Sequence, residues 1–372
     1  MNRLLPAWGL FAVLLLVAPN LVAASIGRVT LVEGDASLTR NGKPLEAARL
    51  AEGLELETDD SLTTGPNGKV ELILDKAGGV PASLSLGAST SLSLDITALK
   101  REQAAAIEFI GGSLAVKLTS VSGSSSLEVR TGIALLSTRS ATFRLMTALG
   151  GELAVSTSAG RVQCLVGELS YQSEPGAVVV ITPDPLEGHS LPANASTLDS
   201  WNQTWKAGID ADIRNRALQT LQASTSHYLQ TAGQLQRTWD RWLREGSTVA
   251  ALWAKQDETG AVSSAEQLVL EKKTVGGLAV ALRRQALALE RDSFRLVALR
   301  SRLLPALLSE SQEVAEGYTL KDFYRQFDRD QASASRLATA RWLHKAYLRR
   351  NFGDFPSPRA LPEVTRESPF FN

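Results

Sequence analysis

The sequence predicts an α+β protein in two segregated parts, an N-terminal all-β domain followed by an all-α helical bundle or long helical hairpin. Three observations predict it. From Ile26 to about Ile181, apolar residues recur at every second position between Gly, Asn and Asp turn signals. A proline-bearing stretch follows, with Pro183, Pro185 and Pro192. Beyond it the apolar spacing changes to three and four, the rhythm of helices. The expected division is residues 1–24 as an export leader, 25–182 as the β domain and 183–196 as a linker. A helical domain over 197–352 and an irregular tail over 353–372 complete it.

The first residues read as a secretory signal peptide. Arg3 supplies the cation, Trp8 to Ala18 the apolar run, and Val22 and Ala24 the small residues before a cut after Ala24. Eleven apolar residues are too short to span a bilayer at about 1.5 Å per residue. The reading is therefore a periplasmic protein, with an uncleaved N-terminal anchor as the alternative. Cys164 is the single cysteine, which excludes an internal disulfide; it shares a strand face with Val162 and Val166 and reads as a buried core residue.

Charge and composition narrow the class. Hydrophobic residues make up 44% and charged residues 21%, as in an ordinary globular protein. Residues 25–197 carry 13 Lys and Arg against 19 Asp and Glu, a net of −6; residues 198–372 carry 25 against 20, a net of +5. Neither half has the basic surplus that nucleic-acid binding needs, so no nucleic-acid partner is expected.

Within the β domain, strands are expected at Gly27–Val32, Lys69–Leu74, Ser83–Leu86, Ser91–Ile96, Ser126–Arg130 and Ala177–Ile181. Asn41-Gly42 and Asn67-Gly68 are hairpin-turn signals, because their central residues tolerate positive φ. The stretch Thr64-Gly-Pro-Asn-Gly68 therefore reads as a turn. A phosphate-binding loop would lead into a helix, whereas Lys69 leads into a strand. A short helical turn is expected near Thr97–Phe109. Gly111-Gly-Ser-Leu-Ala-Val recurs as Gly150-Gly-Glu-Leu-Ala-Val, which suggests a jelly-roll or solenoid-like sheet, or simple reuse of Gly-led strands.

Residues 27–186 resemble the FecR-type domain, a periplasmic module named after a ferric-citrate signalling protein. Gly27-Arg-Val29, Glu33-Gly34-Asp35 and Asn41-Gly42-Lys43 match its opening strand, turn and hairpin. Asp59-Asp60-Ser-Leu-Thr-Thr64-Gly65 matches its Gly-Asp-x-Leu-x-Thr-Gly motif, with Asp59 in place of Gly. Val129-Arg-Thr131-Gly132 and Arg139-Ser-Ala-Thr-Phe143 match Val-x-Thr-Pro and Arg-Gly-Thr-x-Phe, with Gly132, Ser140 and Ala141 as departures. Val162 to Leu169, through Gly167, matches the closing strand pair. The motif residues Asp60, Thr64, Gly65, Thr131, Arg139, Phe143 and Gly167 are expected to be structural, with Phe143 in the core and Arg139 bonded to backbone at a strand end. In sigma-regulating members a cytoplasmic anti-sigma segment precedes one membrane span. Here only Met1–Pro6 precede the apolar run, so signalling is expected to pass through a separate membrane partner.

In the second half, Ser196 or Thr197 is expected to cap a helical stretch reaching Leu252. A second long helix is expected over 263–312, kinked or shortened at Pro305, and a third over 320–351. The tryptophans are expected to fill the bundle seam. Arg341–Arg350 (RWLHKAYLRR) reads as a cationic helix end complementing the dipole, or as a peripheral membrane contact. No zinc spacing, nucleophile elbow or nucleotide loop occurs, and no cofactor is expected. Asp35, Asp59 and Asp60 suit a calcium cluster or, preferably, solvated turns. The function expected is a non-enzymatic envelope module that binds or scaffolds a protein or glycan. The alternatives are a periplasmic regulator and a glycan-remodelling factor.

Overall fold

The computed structural model describes residues 25–40, 43–46, 50–75, 80–95, 104–119, 126–259, 263–331 and 334–352. The export leader and the tail over 353–372 lie outside them. In chain order the first strands are β1 (Gly27–Glu33), β2 (Ala36–Arg40), β3 (Lys43–Pro44), β4 (Glu55–Leu56), β5 (Ser61–Thr64) and β6 (Lys69–Leu74). Then come β7 (Ala82–Leu86), β8 (Ser91–Asp95), β9 (Ala104–Gly111), β10 (Ser113–Leu118), β11 (Ser126–Arg130) and β12 (Leu135–Thr138). The last are β13 (Ala141–Thr147), β14 (Leu153–Gly160), β15 (Val162–Val166), β16 (Leu169–Ser173), β17 (Ala177–Pro183) and β18 (Leu186–Pro192).

These strands form two nine-stranded sheets. The first has the order β18-β17-β14-β13-β10-β7-β6-β1-β4 and the second β16-β15-β12-β11-β9-β8-β5-β2-β3. Strand number climbs along both sheets together, so the chain winds from one end of the sandwich to the other, crossing between sheets every one or two strands. β9 and β11 are parallel because β10 crosses to the first sheet between them; the other described sandwich pairs are antiparallel. Alternation drives Leu72, Leu84, Leu92, Ile107, Leu114 and Phe143, among others, into one core between the sheets.

The Thr64–Gly68 stretch is a turn, as predicted, but it joins β5 of the second sheet to β6 of the first rather than two hairpin partners. Gly68 N–H donates to Gly65 O at 3.0 Å, and a Cβ on Gly68 would lie 2.0 Å from Asp35 O. Backbone passes too close there for any side chain. Threonine hydroxyls stitch the successive crossings: Thr90 N–H donates to Thr64 Oγ1 at 2.9 Å, Ser113 N–H to Thr90 Oγ1 at 2.8 Å, and Gly112 N–H to Thr147 Oγ1 at 2.7 Å.

Two expectations for this half need correction. Ala104–Phe109, expected near a helical turn, belong to β9; residues 96–103 lie outside the described set, as do Asn41 and Gly42. Residues 183–196 are not an irregular linker. Pro183 ends β17, and β18 pairs with β17 from Pro183↔Leu186 to Ala177↔Pro192. The prolines fit because β18 is an edge strand and they sit at strand ends, where the ladder loses no N–H.

Helices follow as α1 (Leu198–Asn215), α2 (Ala217–Glu245), α3 (Ser247–Thr259) and α4 (Ala265–Glu271). A widened π turn over Lys272–Gly276 leads into α5 (Gly277–Leu307), and α6 (Leu320–Gln331) and α7 (Ala334–Phe352) complete the chain as described. Thr197 stands at the N-cap of α1, as expected, but makes no side-chain cap bond; Asn194 caps the short 3-10 turn Ala195–Thr197 before it, accepting from Ser196 N–H at 3.0 Å. The first expected helix is broken at Arg216 and Gly246. The second ends at Leu307, two residues past Pro305. A small hairpin, β19 (Glu313–Ala315) and β20 (Tyr318–Thr319), follows where helix was expected. Trp239, Trp242, Trp253 and Trp342 fill the helical core with Leu282, Leu299 and Phe323. Trp201 and Trp205 do not: they stack on each other and cover Ala154, Val178 and Val180 on the outer face of the first sheet.

Helices and sandwich touch at a corner where backbone must be bare. A Cβ on Gly111 would lie 2.6 Å from the Phe294 ring of α5. Replacing Gly111 with Ala is expected to cost about 1–3 kcal/mol by overpacking, read as a lower urea midpoint. A Phe294→Ala background should remove most of that penalty.

Candidate functional site

The outer face of the second sheet carries charge where it meets α5 and α7. In β8 and β9, Leu92, Leu94, Ile107 and Phe109 point into the sandwich core, so Asp95 and Glu108 point outward. Glu108 is nonetheless 2% exposed, because α5 lies over it. Arg283 Nη2 donates to Glu108 Oε1 at 2.7 Å and also pairs with Asp95; Arg291 Nη2 donates to Glu108 Oε2 at 3.3 Å. Arg130 stands 3.6 Å from Glu108 and bonds Glu128 at 2.9 Å. From α7, Arg341 pairs with Glu290 of α5 and donates to Ser61 Oγ of β5 at 2.9 Å. Arg295 Nε donates to Leu149 O at 3.0 Å at the corner. Asp95, Glu108, Glu128 and Glu290 thus face Arg130, Arg283, Arg291 and Arg341, and formal charge balances.

Burial works against every charge in this seam. For Arg283 the fields of Asp95 and Glu108 outweigh it and raise the pKa. For Arg291 burial prevails and lowers it. Burial likewise pushes the Glu290 carboxyl up, partly offset by Arg341. His344 of α7, half-buried beside Arg283, is pushed down to about 4, first by burial and then by that neighbouring cation. The seam is a neutralised structural contact among the described residues. Two arginines of the basic run in the last helix are also spent on internal partners. Arg341 turns into the seam, and Arg350 donates to buried Glu271 at 3.0 Å while lying over Trp253. These two arginines are not an exposed membrane-facing surface.

The opposite arrangement holds on the first sheet. α1 covers its β14 and β17 end through Trp201, Trp205 and Asn202, whose Nδ2 donates to Ser156 Oγ at 3.0 Å. Among the described residues nothing covers the outer face across β1, β6, β7, β10 and β13, which forms a shallow groove of about 290 Å3. Small side chains make it concave: Ser83, Ser85, Ala115 and Thr142 stand between Ile73, which is 37% exposed, and Lys117. Its one carboxylate among the described residues, Glu71, is held by Lys69 at 2.6 Å. One carboxylate cannot provide the acid and base pair of glycoside hydrolysis.

The residues singled out from sequence do not converge. Asp60 is fully buried rather than solvated: Arg40 clasps it at 2.8 and 2.7 Å, and Glu57 N–H donates to it at 2.9 Å. The bond to Asp60 holds Arg40 protonated, raising its pKa. With its oxygens spent, Asp60 forms no calcium cluster with Asp35 and Asp59; among the described residues no group of three His, Cys, Asp or Glu is arranged for a metal. Thr64 stitches a sheet crossing, and Gly65 N–H donates to Asp35 O at 2.7 Å. Thr131 Oγ1 accepts from Ala134 N–H at 2.8 Å and closes the β11–β12 turn. Phe143 is in the core and Gly167, at φ 58°, turns β15 into β16. Arg139 departs from expectation. It stands exposed in the β12–β13 turn and bonds no backbone among the described residues. Cys164 is buried, with its thiol pushed up to about 12 by burial. Sequence reading missed Glu108, Arg283 and Arg291. Their only signals were a lone acid in an apolar strand and arginines eight apart on a helix.

His344 makes the seam acid-sensitive. The unfolded chain protonates it below about pH 6.5, the folded chain only near 4. Its contribution is fully present above the unfolded value and fades as pH falls toward the folded one, by roughly 3 kcal/mol at the lower end. His344→Gln is therefore expected to flatten the fall in denaturant stability between pH 6.5 and 4. An unchanged slope would show that His344 is not buried as described.

No protein-family model matches the sequence, and no curated protein matches it. Among solved structures it is similar to two crystal structures, at 1.65 and 2.50 Å resolution, of a “putative anti-sigma factor” from Parabacteroides distasonis ATCC 8503. Each match has 15% identity and a TM-score of 0.33, covering 38% of this chain and 63% of that one, less than two thirds of its length.

Proposed function

We propose that this chain is a non-enzymatic, exported module of the cell envelope that binds a partner protein through the open groove of its first sheet. The observation that carries the reading is the asymmetry of cover. Helices occupy the outer face of the second sheet and one end of the first, and the β1–β13 face is left bare. A bare, concave patch of small polar residues around an exposed Ile suits a protein surface. A glycan platform usually relies on aromatic faces, and none lines this groove. The resemblance of residues 27–186 to FecR-type domains supports export and adds a regulatory setting, in which the partner is a membrane protein that carries the signal onward.

A photo-cross-linking residue at Ser85 or Ala115, expressed in intact cells, is expected to capture one discrete envelope protein. Placed at Glu245 on the helices it should not. Ala115→Trp should abolish capture through Ser85 while leaving thermal stability within about 1 kcal/mol, since the position is a surface one. Equal capture from both faces, or capture indifferent to Ala115→Trp, would refute the reading.

A further inference from the structure

A second groove lies on the helices, between α2 and the start of α5. It encloses about 470 Å3 and is lined by Arg237, Thr238 and Arg241 from α2, and by Lys273, Thr274 and Gly277 from the π turn and α5. No carboxylate among the described residues lines it. Arg237 and Lys273 have no hydrogen bond or ion pair among the described residues. Arg241 meets Glu245 through Nε alone, at 3.1 and 3.2 Å, so both terminal guanidinium nitrogens remain unspent. The hydroxyls of Thr238 and Thr274 donate to their own helices, at 3.0 Å to Gln234 O and 2.9 Å to Leu270 O. Recognition in this groove therefore falls to the cations.

The π turn accounts for the arrangement. Widening the helix by one residue changes the phase between α4 and α5. Glu271 then turns inward to Arg350 while Lys273 turns toward α2. Gly277 leaves the floor open, with nothing within 4 Å of where a Cβ would stand.

We infer that this groove binds a phosphate-type oxyanion, drawn either from a lipid headgroup or from a soluble phosphate compound. Two guanidiniums and an ammonium around an open floor supply charge-assisted donors from two helices to the oxygens of one such group. The site is separate from the partner groove on the first sheet, and neither test depends on the other.

The experiment has two arms on the intact protein: calorimetric titration with inorganic pyrophosphate, and flotation with vesicles of phosphatidylglycerol and phosphatidylcholine against phosphatidylcholine alone. Saturable, salt-sensitive binding is expected in at least one arm. The R237E/K273E double variant should weaken it by about tenfold or more, and R237K/K273R should retain it within about threefold. Both positions are exposed, and matching circular dichroism melts verify that the variants fold. Binding to vesicles alone identifies a headgroup, and binding to pyrophosphate identifies a soluble source. Absence of binding in both arms, or equal binding by R237E/K273E, overturns the inference.

Discussion

A carboxylate that is 2% exposed has to be neutralised where it stands, and Glu108 is that group. β9 turns Glu108 out of the sandwich core, toward α5. Arg283 and Arg291 then have to sit within bonding distance of one carboxylate, which fixes both the position of α5 along the sheet and its rotation. The residues on that stripe, Arg283, Leu287, Arg291, Phe294 and Arg295, are spaced by threes and fours, so one helix face meets the sheet. The other face carries Leu278, Leu282, Leu289, Leu296 and Leu303 into the helical core. α5 is thereby shared by two interiors.

Buried ion pairs add little net stability compared with apolar contacts of the same size, because both charges lose water. Their effect here is mutual dependence. Removing one partner strands the others, so the helices cannot shift on the sheet without leaving a charge bare. The apolar contribution comes from Phe294 against Gly111 and from Trp201 and Trp205 against the first sheet. The result is a sandwich gripped on two outer faces, with the exposed remainder of the first sheet held in fixed relation to the helices. A binding surface on such a base costs little to order.

The change of rhythm, from twos to threes and fours, was readable in the sequence, and it separates the β-rich first part from the helical second part. Boundaries were not. The prolines at 183 and 192 read as breakers because sequence does not say which strand lies at an edge. Trp201 and Trp205 read as bundle core because a helix pattern shows that a face is buried without naming what buries it. The hairpin at Glu313–Thr319 was hidden by its length, two and three residues per strand. The π turn left no signal that periodicity could detect. The seam itself was the hardest feature to see. A helix face rich in arginine reads as solvent-facing, and only the opposing carboxylates, some 175 residues earlier in the chain, make it interior.

The contact between Glu108 and Arg283 holds α5 on the second sheet, and a double-mutant cycle measures it directly. Denaturant unfolding of the parent, Glu108→Gln, Arg283→Met and the double variant yields the coupling energy. Burial of both groups in one network predicts about 2 kcal/mol of favourable coupling. A coupling indistinguishable from zero, with each single variant costing less than about 0.5 kcal/mol, would mean that the pair is exposed and that the helices do not sit on the second sheet.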